Sequence, residues 1–214
     1  MGRQQGTLDQ QRWVELWSRL GAQGSGASIF AQLAAAYAEP ERAYHTAEHI
    51  RDCLAELDLS RDLAQYPDEV EAALWFHDAV YQPGASDNED RSAELARTAL
   101  SLRAVPHEVA DRTAALVLAT RHAALSSSPD EQLICDIDLS ILGREPEIFD
   151  AFERRIRREY ARVPEPIYRR ERSAVLSGFL RRRSIYQTDQ FRHRYEALAR
   201  ANLERLIEKL GEPR

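Results

Sequence analysis

The 214-residue sequence lacks the features that mark secreted and membrane proteins. No apolar run approaches the roughly 18 residues that a membrane span needs, and the polar start MGRQQGTLDQQRW has no apolar signal region. Only two cysteines are present, Cys53 and Cys135, and they stand far apart in apolar stretches. This spacing argues against a disulfide framework or a short zinc motif and predicts two small buried thiols. We therefore expect a cytoplasmic protein with no membrane partner.

The sequence also lacks the patterns that indicate β-strands. No run alternates between apolar and polar residues with a period of two, and no hairpin dipeptide separates two β-branched blocks. Apolar residues instead recur at three- and four-residue spacing, as in Trp13, Leu16, Trp17 and Leu20. The pattern predicts an all-α bundle of nine or ten helices in a single domain, residues 1–214. The expected helices are 8–20, 29–39, 46–57, 67–78, 88–103, 107–120, 130–142, 146–161, 166–186 and 188–210.

Charge is spread unevenly along the chain. Residues 1–150 carry 12 basic and 26 acidic side chains, whereas residues 151–214 carry 17 basic and 9 acidic ones. The acidic part suits carboxylates that bind a metal, and the basic part suits guanidinium groups that bind anions. The net charge of −6 argues against a binder of nucleic-acid polymers.

Four apolar stretches contain polar residues that a helical core would exclude unless they had partners. They are YHTAEHI (44–50), LWFHDAVY (74–81), LATRH (118–122) and LICDIDLSIL (133–142). Each polar residue has an ordinary explanation by itself, since a buried histidine is commonly hydrogen-bonded and an aspartate can cap a helix. Together, imidazoles and carboxylates in apolar surroundings suit a divalent cation, which offsets the cost of burying the acids. The residue types alone therefore predict a metal site.

The first stretch also allows a different metal site. His45-x-x-Glu48-His49 matches the inverted zinc-protease pattern, in which both histidines bind zinc and the glutamate activates water. That interpretation leaves the polar residues of the other apolar stretches without a role, so we rank it low.

The order His49, His77-Asp78, Asp138 resembles the signature of the HD superfamily of metal-dependent phosphohydrolases. The likeness covers nearly the whole chain and extends to the small bacterial predicted metal-dependent HD phosphohydrolases. That family's stretches YHN-x-x-HI, FHD-x-VY, DNE-x-x-SA and D-x-DL-x-IL-G correspond here to YHTAEHI, FHDAVY, DNEDRSA and DIDLSILG, with Thr46 in place of the family's asparagine. The resemblance implies an HD-type helical domain with a metal core at about 40–142 and a basic helical part at 145–210 packed on it.

The resemblance also implies roles for individual residues. His49, His77, Asp78 and Asp138 would bind one or two divalent cations (Mn, Mg, Fe, Co, Ni or Zn), with Asp78 also at the catalytic centre. His45 corresponds to the histidine that gives a proton to the leaving group in cyclic-nucleotide phosphodiesterases, which share the HD architecture.

Five further residues are candidates on weaker grounds. Glu89 in DNED could orient water or hold a second cation, and His122 could contact phosphate or a second metal. Three consecutive arginines end at Arg183, and because successive helical residues turn by about 100°, no more than one or two of them can face one site. We take His122, Arg172, Arg183 and Tyr186 as candidate substrate-binding residues.

The expected function is that of a divalent-metal-dependent phosphohydrolase, in which metal-activated water attacks the phosphorus of a small phosphorylated molecule. A nucleotide is the first candidate substrate. Some members of the HD superfamily use two irons to activate dioxygen, so a di-iron oxygenase is the main alternative. An inverted-motif zinc protease and a non-catalytic nucleotide-binding regulator rank lower. The sequence is compatible with a homo-oligomer.

Overall fold

Helices account for all of the regular structure in the computed structural model, which describes residues 7–126 and 128–211. Over these ranges there are ten α-helices and no strand, which confirms the predicted all-α class. The helices are α1 (Gln10–Arg19), α2 (Ala27–Ala36), α3 (Ala47–Asp58), α4 (Pro67–Phe76), α5 (Asn88–Ser101), α6 (His107–Ala119), α7 (Pro129–Asp138), α8 (Pro146–Glu159), α9 (Glu165–Leu180) and α10 (Asp189–Gly211). Two short 3₁₀ helices, η1 (Arg61–Leu63) and η2 (Leu139–Gly143), complete the set.

No helix of the described residues is long and apolar enough to cross a membrane.

Two predicted helices end at least four residues earlier than their patterns indicate. The helix expected at 130–142 ends at Asp138, and η2 continues the chain. In η2, a Cβ on Gly143 would lie 2.5 Å from the Tyr195 Cβ of α10, so only glycine allows this close approach. The helix expected at 166–186 ends at Leu180.

The chain forms two compact units, which divide between Ile137 and Asp138. In the first unit α4 is the central helix, because it packs against α1, α3, α5 and α6. Its residues from Glu69 to Phe76 are all buried, and Trp75 meets Trp13 edge-on at 5.3 Å. The second half of α4 is apolar and buried, and its last residue immediately precedes the His77-Asp78 pair.

The second unit contains η2 and the helices α8, α9 and α10. Its core includes Phe149, Tyr186 and Phe191, each fully buried. Asn202 of α10 donates from Nδ2 to the carbonyls of Leu142 and Arg144, which ties α10 to η2 and the residue that follows it. The single-domain organisation expected from the sequence stays a prediction.

Candidate metal centre

His49 lies in the first turn of α3. The Thr46 side chain caps this helix by accepting a hydrogen bond from the Glu48 N–H at 3.3 Å. The apolar stripe of α3, which includes Ile50, Leu54 and Leu57, packs into the core, and His49 is buried with it. An imidazole in this position needs a polar partner, because burying it without one is costly.

His77 and Asp78 follow directly after α4. The His77 N–H still donates to the Ala73 carbonyl at 2.9 Å, so His77 ends the helix. Its Nδ1 lies 3.0 Å from the Leu74 carbonyl oxygen. Because a carbonyl can only accept, Nδ1 carries the proton, and Nε2 of neutral His77 is left with its lone pair. Metal-binding histidines are commonly oriented in this way.

Donor atoms of three residues converge at this point. His49 Nε2 lies 3.1 Å from His77 Nε2, and Asp78 Oδ2 lies 3.4 and 3.1 Å from these two nitrogens. A cation about 2.1 Å from each ligand holds neighbouring ligands about 3.0 Å apart in an octahedral site and about 3.4 Å apart in a tetrahedral one. The spacing therefore fits one divalent cation that all three atoms bind.

Two further side chains bring donor atoms to the same place. His49, Cys53, His77 and Asp138 each offer one ligand atom, and these atoms all lie within 4.8 Å of one another. Asp138 is the last residue of α7, whose other residues belong to the first unit. The described residues thus contain a His/Cys/Asp group that could bind a metal ion.

Cys53 is the member of this group that the sequence did not assign to the site. It follows His49 by four residues on α3, and its Sγ lies 3.7 Å from His49 Nε2. Its apolar neighbours predict a plain buried thiol, and Cys53 is indeed buried. Its four-residue spacing from His49, which places both on one helix face, was the available signal for a shared site.

The imidazoles change the acidity of Asp78. Burial by itself raises the pKa of this carboxyl group, but the charge and hydrogen bonds of the neighbouring His77, His45 and His49, when these imidazoles are protonated, outweigh that effect and hold the pKa well below its ordinary value. Asp78 is therefore ionised and able to bind a cation. Its side chain keeps 19% of its surface exposed, so the centre is open on one side.

His45 occupies a different setting from His49. It precedes the helix cap Thr46 and therefore lies outside α3. Its half-buried ring stacks on Tyr81, with the ring centroids 4.0 Å apart, and its centroid lies 6.1 Å from that of His49. Glu48 is exposed. The inverted-protease interpretation needs this glutamate beside the metal, which its exposure does not favour.

The structure brings Glu89 to the segment that carries His122. Glu89 lies in the first turn of α5, and Arg121 reaches its carboxylate at 3.9 Å and also pairs with Asp90. His122 follows Arg121 and adopts a φ of 55°, a left-handed conformation that costs most residues about 1 kcal/mol. The roles predicted for Glu89 and His122 stay predictions.

The other three candidate substrate-binding residues lie in the second unit. Arg172 binds both carboxylate oxygens of Glu153. Tyr186 is fully buried, and its hydroxyl donates to the Leu139 carbonyl at 3.0 Å. Arg183 is exposed. Arg172 and Tyr186 thus have structural partners within their own unit, and binding of substrate by any of the three stays a prediction.

Comparison of the chain with protein-family models, with curated proteins and with solved structures found no match. The HD resemblance therefore rests on the sequence stretches alone.

Proposed function

We propose that this protein is a divalent-metal-dependent phosphohydrolase that acts on a small phosphorylated molecule, with a nucleotide as the first candidate. One observation carries the proposal: His49, His77 and Asp78 place three donor atoms 3.1–3.4 Å apart beside the half-buried His45. This arrangement offers a cation site and a separate proton-transfer group in one place. The cytoplasmic location expected from the sequence belongs to the same proposal.

His49, His77 and Asp78 would hold the cation, together with Asp138 and with Cys53 where a thiophilic metal is bound. When bound, the cation polarises a phosphoryl oxygen and lowers the pKa of its water, so that a nucleophile forms near neutral pH. The Leu74 carbonyl keeps His77 in the tautomer that this binding requires. These side chains come from buried helices or helix ends, so little ordering remains to be done when the metal binds.

His45 would give its proton to the leaving oxygen of the substrate. Its ring is held by Tyr81 and is half-buried, so it is oriented and still reachable by a small molecule. His45 also lies close enough to Asp78 for its charge to lower the pKa of that carboxyl group. Glu89 is the candidate for orienting water.

A screen for phosphate release tests this function. The protein is loaded in turn with Mn²⁺, Mg²⁺, Co²⁺ and Zn²⁺ and assayed against nucleotides and phosphate esters. We expect release from at least one substrate, abolished by a chelator and by His77→Ala. A metal-loaded protein that is silent across the panel would contradict the proposal. Two bound irons and consumption of oxygen would support the di-iron oxygenase instead.

The division of labour between the two histidines provides a sharper test. His49→Ala removes a donor atom of the cluster, so we expect at least about 100-fold weaker Mn²⁺ binding in calorimetric titration. His45→Ala should retain Mn²⁺ affinity within about twofold and lose about 100-fold in turnover, the usual scale of general acid catalysis. The exposed His193 provides the matched control, since His193→Ala should change neither quantity. Equal loss of metal from His45→Ala and His49→Ala would favour the inverted-protease interpretation.

A further inference from the structure

Arg42 is a buried arginine just before the YHTAEHI stretch, with no role in the expected mechanism. Its side chain is 2% exposed. Nη1 donates to the Asp78 carbonyl at 2.6 Å and to the His45 carbonyl at 3.3 Å. Nη2 donates to the Ala79 carbonyl at 3.1 Å, and Nε to the Glu39 carboxylate at 2.9 Å. One guanidinium group therefore joins the backbone that carries His45 to the backbone that carries Asp78.

Both of these segments need hydrogen bonds from outside the neighbouring helix to hold them in place. Residues 43–46 precede α3, and residues 77–80 follow α4, so neither is held by a full set of intrahelical hydrogen bonds. Carbonyls at the end of a helix carry partial negative charge, which a buried cation complements. The guanidinium group lies 5.4 Å from the ring centroid of Tyr37 and 5.6 Å from that of Tyr81, so aromatic rings also restrict its position.

We propose that Arg42 is a positioning residue, which fixes His45 and Asp78 relative to each other by binding the main chain of both. The inference rests on the proposed function, in which these two side chains transfer a proton and bind the metal. Arginine suits the task because its planar fork offers five donors in fixed directions. Lysine would keep the positive charge, but its single ammonium group cannot reach the carbonyls of His45, Asp78 and Ala79 and the Glu39 carboxylate with the same geometry.

Arg42→Lys is the principal test, because it retains charge and changes geometry. Binding of Mn²⁺ is measured by calorimetric titration at 25 °C on protein whose helical circular dichroism matches that of the wild type. We expect about tenfold weaker Mn²⁺ binding, the scale seen when groups that orient metal ligands are altered. A merely structural role would lower the melting temperature and leave the Mn²⁺ affinity of the folded protein unchanged.

Arg91 provides the matched control. Arg42 and Arg91 line the same cleft of about 620 Å³, but Arg91 is exposed. Arg91→Lys should therefore leave Mn²⁺ affinity within twofold of the wild type.

Glu39→Gln keeps the inference testable if Arg42→Lys does not fold. Glu39 is half-exposed and binds Arg42 Nε, so its substitution loosens the guanidinium group and leaves the core intact. We expect about threefold weaker Mn²⁺ binding from this variant. Wild-type affinity in every folded Arg42 and Glu39 variant would overturn the positioning role alone. Wild-type protein that binds none of the four metals would overturn the proposed function itself, and the positioning role with it.

Discussion

Two acidic side chains, one within α4 and one just after it, are held in contrasting ways. Glu71 is 1% exposed and binds three guanidinium groups: Arg12 at 2.7 Å, Arg61 at 2.8 Å and Arg19 at 2.9 Å. Asp78, just beyond the C-terminal end of the helix, has no guanidinium group from the described residues on its carboxylate and lies instead against the Nε2 atoms of His49 and His77.

The difference separates a structural acid from an acid available to a cation. The three arginines around Glu71 provide permanent positive charge, and Asp58 and Asp68 balance part of it. Around Asp78, the unprotonated Nε2 atom of a neutral imidazole and a carboxylate oxygen are both acceptors. They repel each other at 3.1 Å unless a proton or a metal lies between them. A buried acid that contacts imidazoles rather than arginines is therefore the one to associate with metal binding.

The largest expected effect is a loss of stability when Glu71, the structural acid, is substituted. Glu71→Gln removes the charge that holds three arginines together, and breaking a buried ion pair costs several kcal/mol. We expect the free energy of unfolding, measured by urea denaturation at pH 7, to fall by about 3 kcal/mol, the upper part of the range for hydrogen bonds to charged groups. The Mn²⁺ affinity of the folded protein should not change.

Glu94 provides the control for this substitution, because it is a mostly exposed helical glutamate that pairs with Arg97. Glu94→Gln should alter stability by less than about 0.5 kcal/mol, since exposed ion pairs contribute little. The comparison fails if Glu71→Gln is as mild as Glu94→Gln, or if it weakens Mn²⁺ binding as His49→Ala is expected to do.

A smaller effect is expected on metal affinity when Cys53 is substituted. The Cys53 Sγ lies 3.7 Å from His49 Nε2, and a thiolate prefers zinc or cobalt to manganese or magnesium. We expect Cys53→Ser to weaken Zn²⁺ and Co²⁺ binding about tenfold and to leave Mn²⁺ binding within twofold. The wild type loaded with Co²⁺ should show a thiolate-to-metal absorption band that the variant lacks. Cys135→Ser is the control, because the Cys135 thiol contacts the Ala119 carbonyl. A cobalt spectrum that Cys53→Ser leaves unchanged would remove Cys53 from the site.

The sequence predicted those parts of the site whose chemistry contrasts with their surroundings. His49, His77 and Asp78 are polar residues in apolar segments, and packing of α3 against α4 brings them together. Cys53 gave no such contrast, because a buried thiol resembles a small apolar side chain. Arg42 was not predicted either. Its partners are main-chain carbonyls of residues 45, 78 and 79, and no pattern of side chains reveals which carbonyls a folded loop presents.

Helix positions were predictable because apolar spacing, proline and acidic first turns repeat along the chain. The end of α9 was not, since its cause lies elsewhere in the sequence. The N–H groups of Ile185 and Tyr186 donate to the Glu196 carboxylate of α10, so they cannot extend the helix that precedes them. Local periodicity continues past Leu180, but these tertiary hydrogen bonds occupy the two N–H groups that the last turn of the predicted helix would need.

The smallest expected effect tests whether Glu196 is a structural acid like Glu71. Burial raises the pKa of Glu196, but the N–H groups of Ile185 and Tyr186, together with Ser184 and Arg200, outweigh it and lower the pKa. A carboxyl group with a lowered pKa in the folded state stabilises the fold above its unfolded pKa of about 4.3, and this contribution is lost as pH falls through the lower folded value. We expect Glu196→Gln to reduce the free energy of unfolding by about 1 kcal/mol at pH 7. Urea denaturation at pH 7 and at pH 3.5 checks this, because the difference from the wild type should shrink at the lower pH. A difference that stays constant between these pH values would mean that the shape or packing of Glu196, rather than its charge, stabilises the fold.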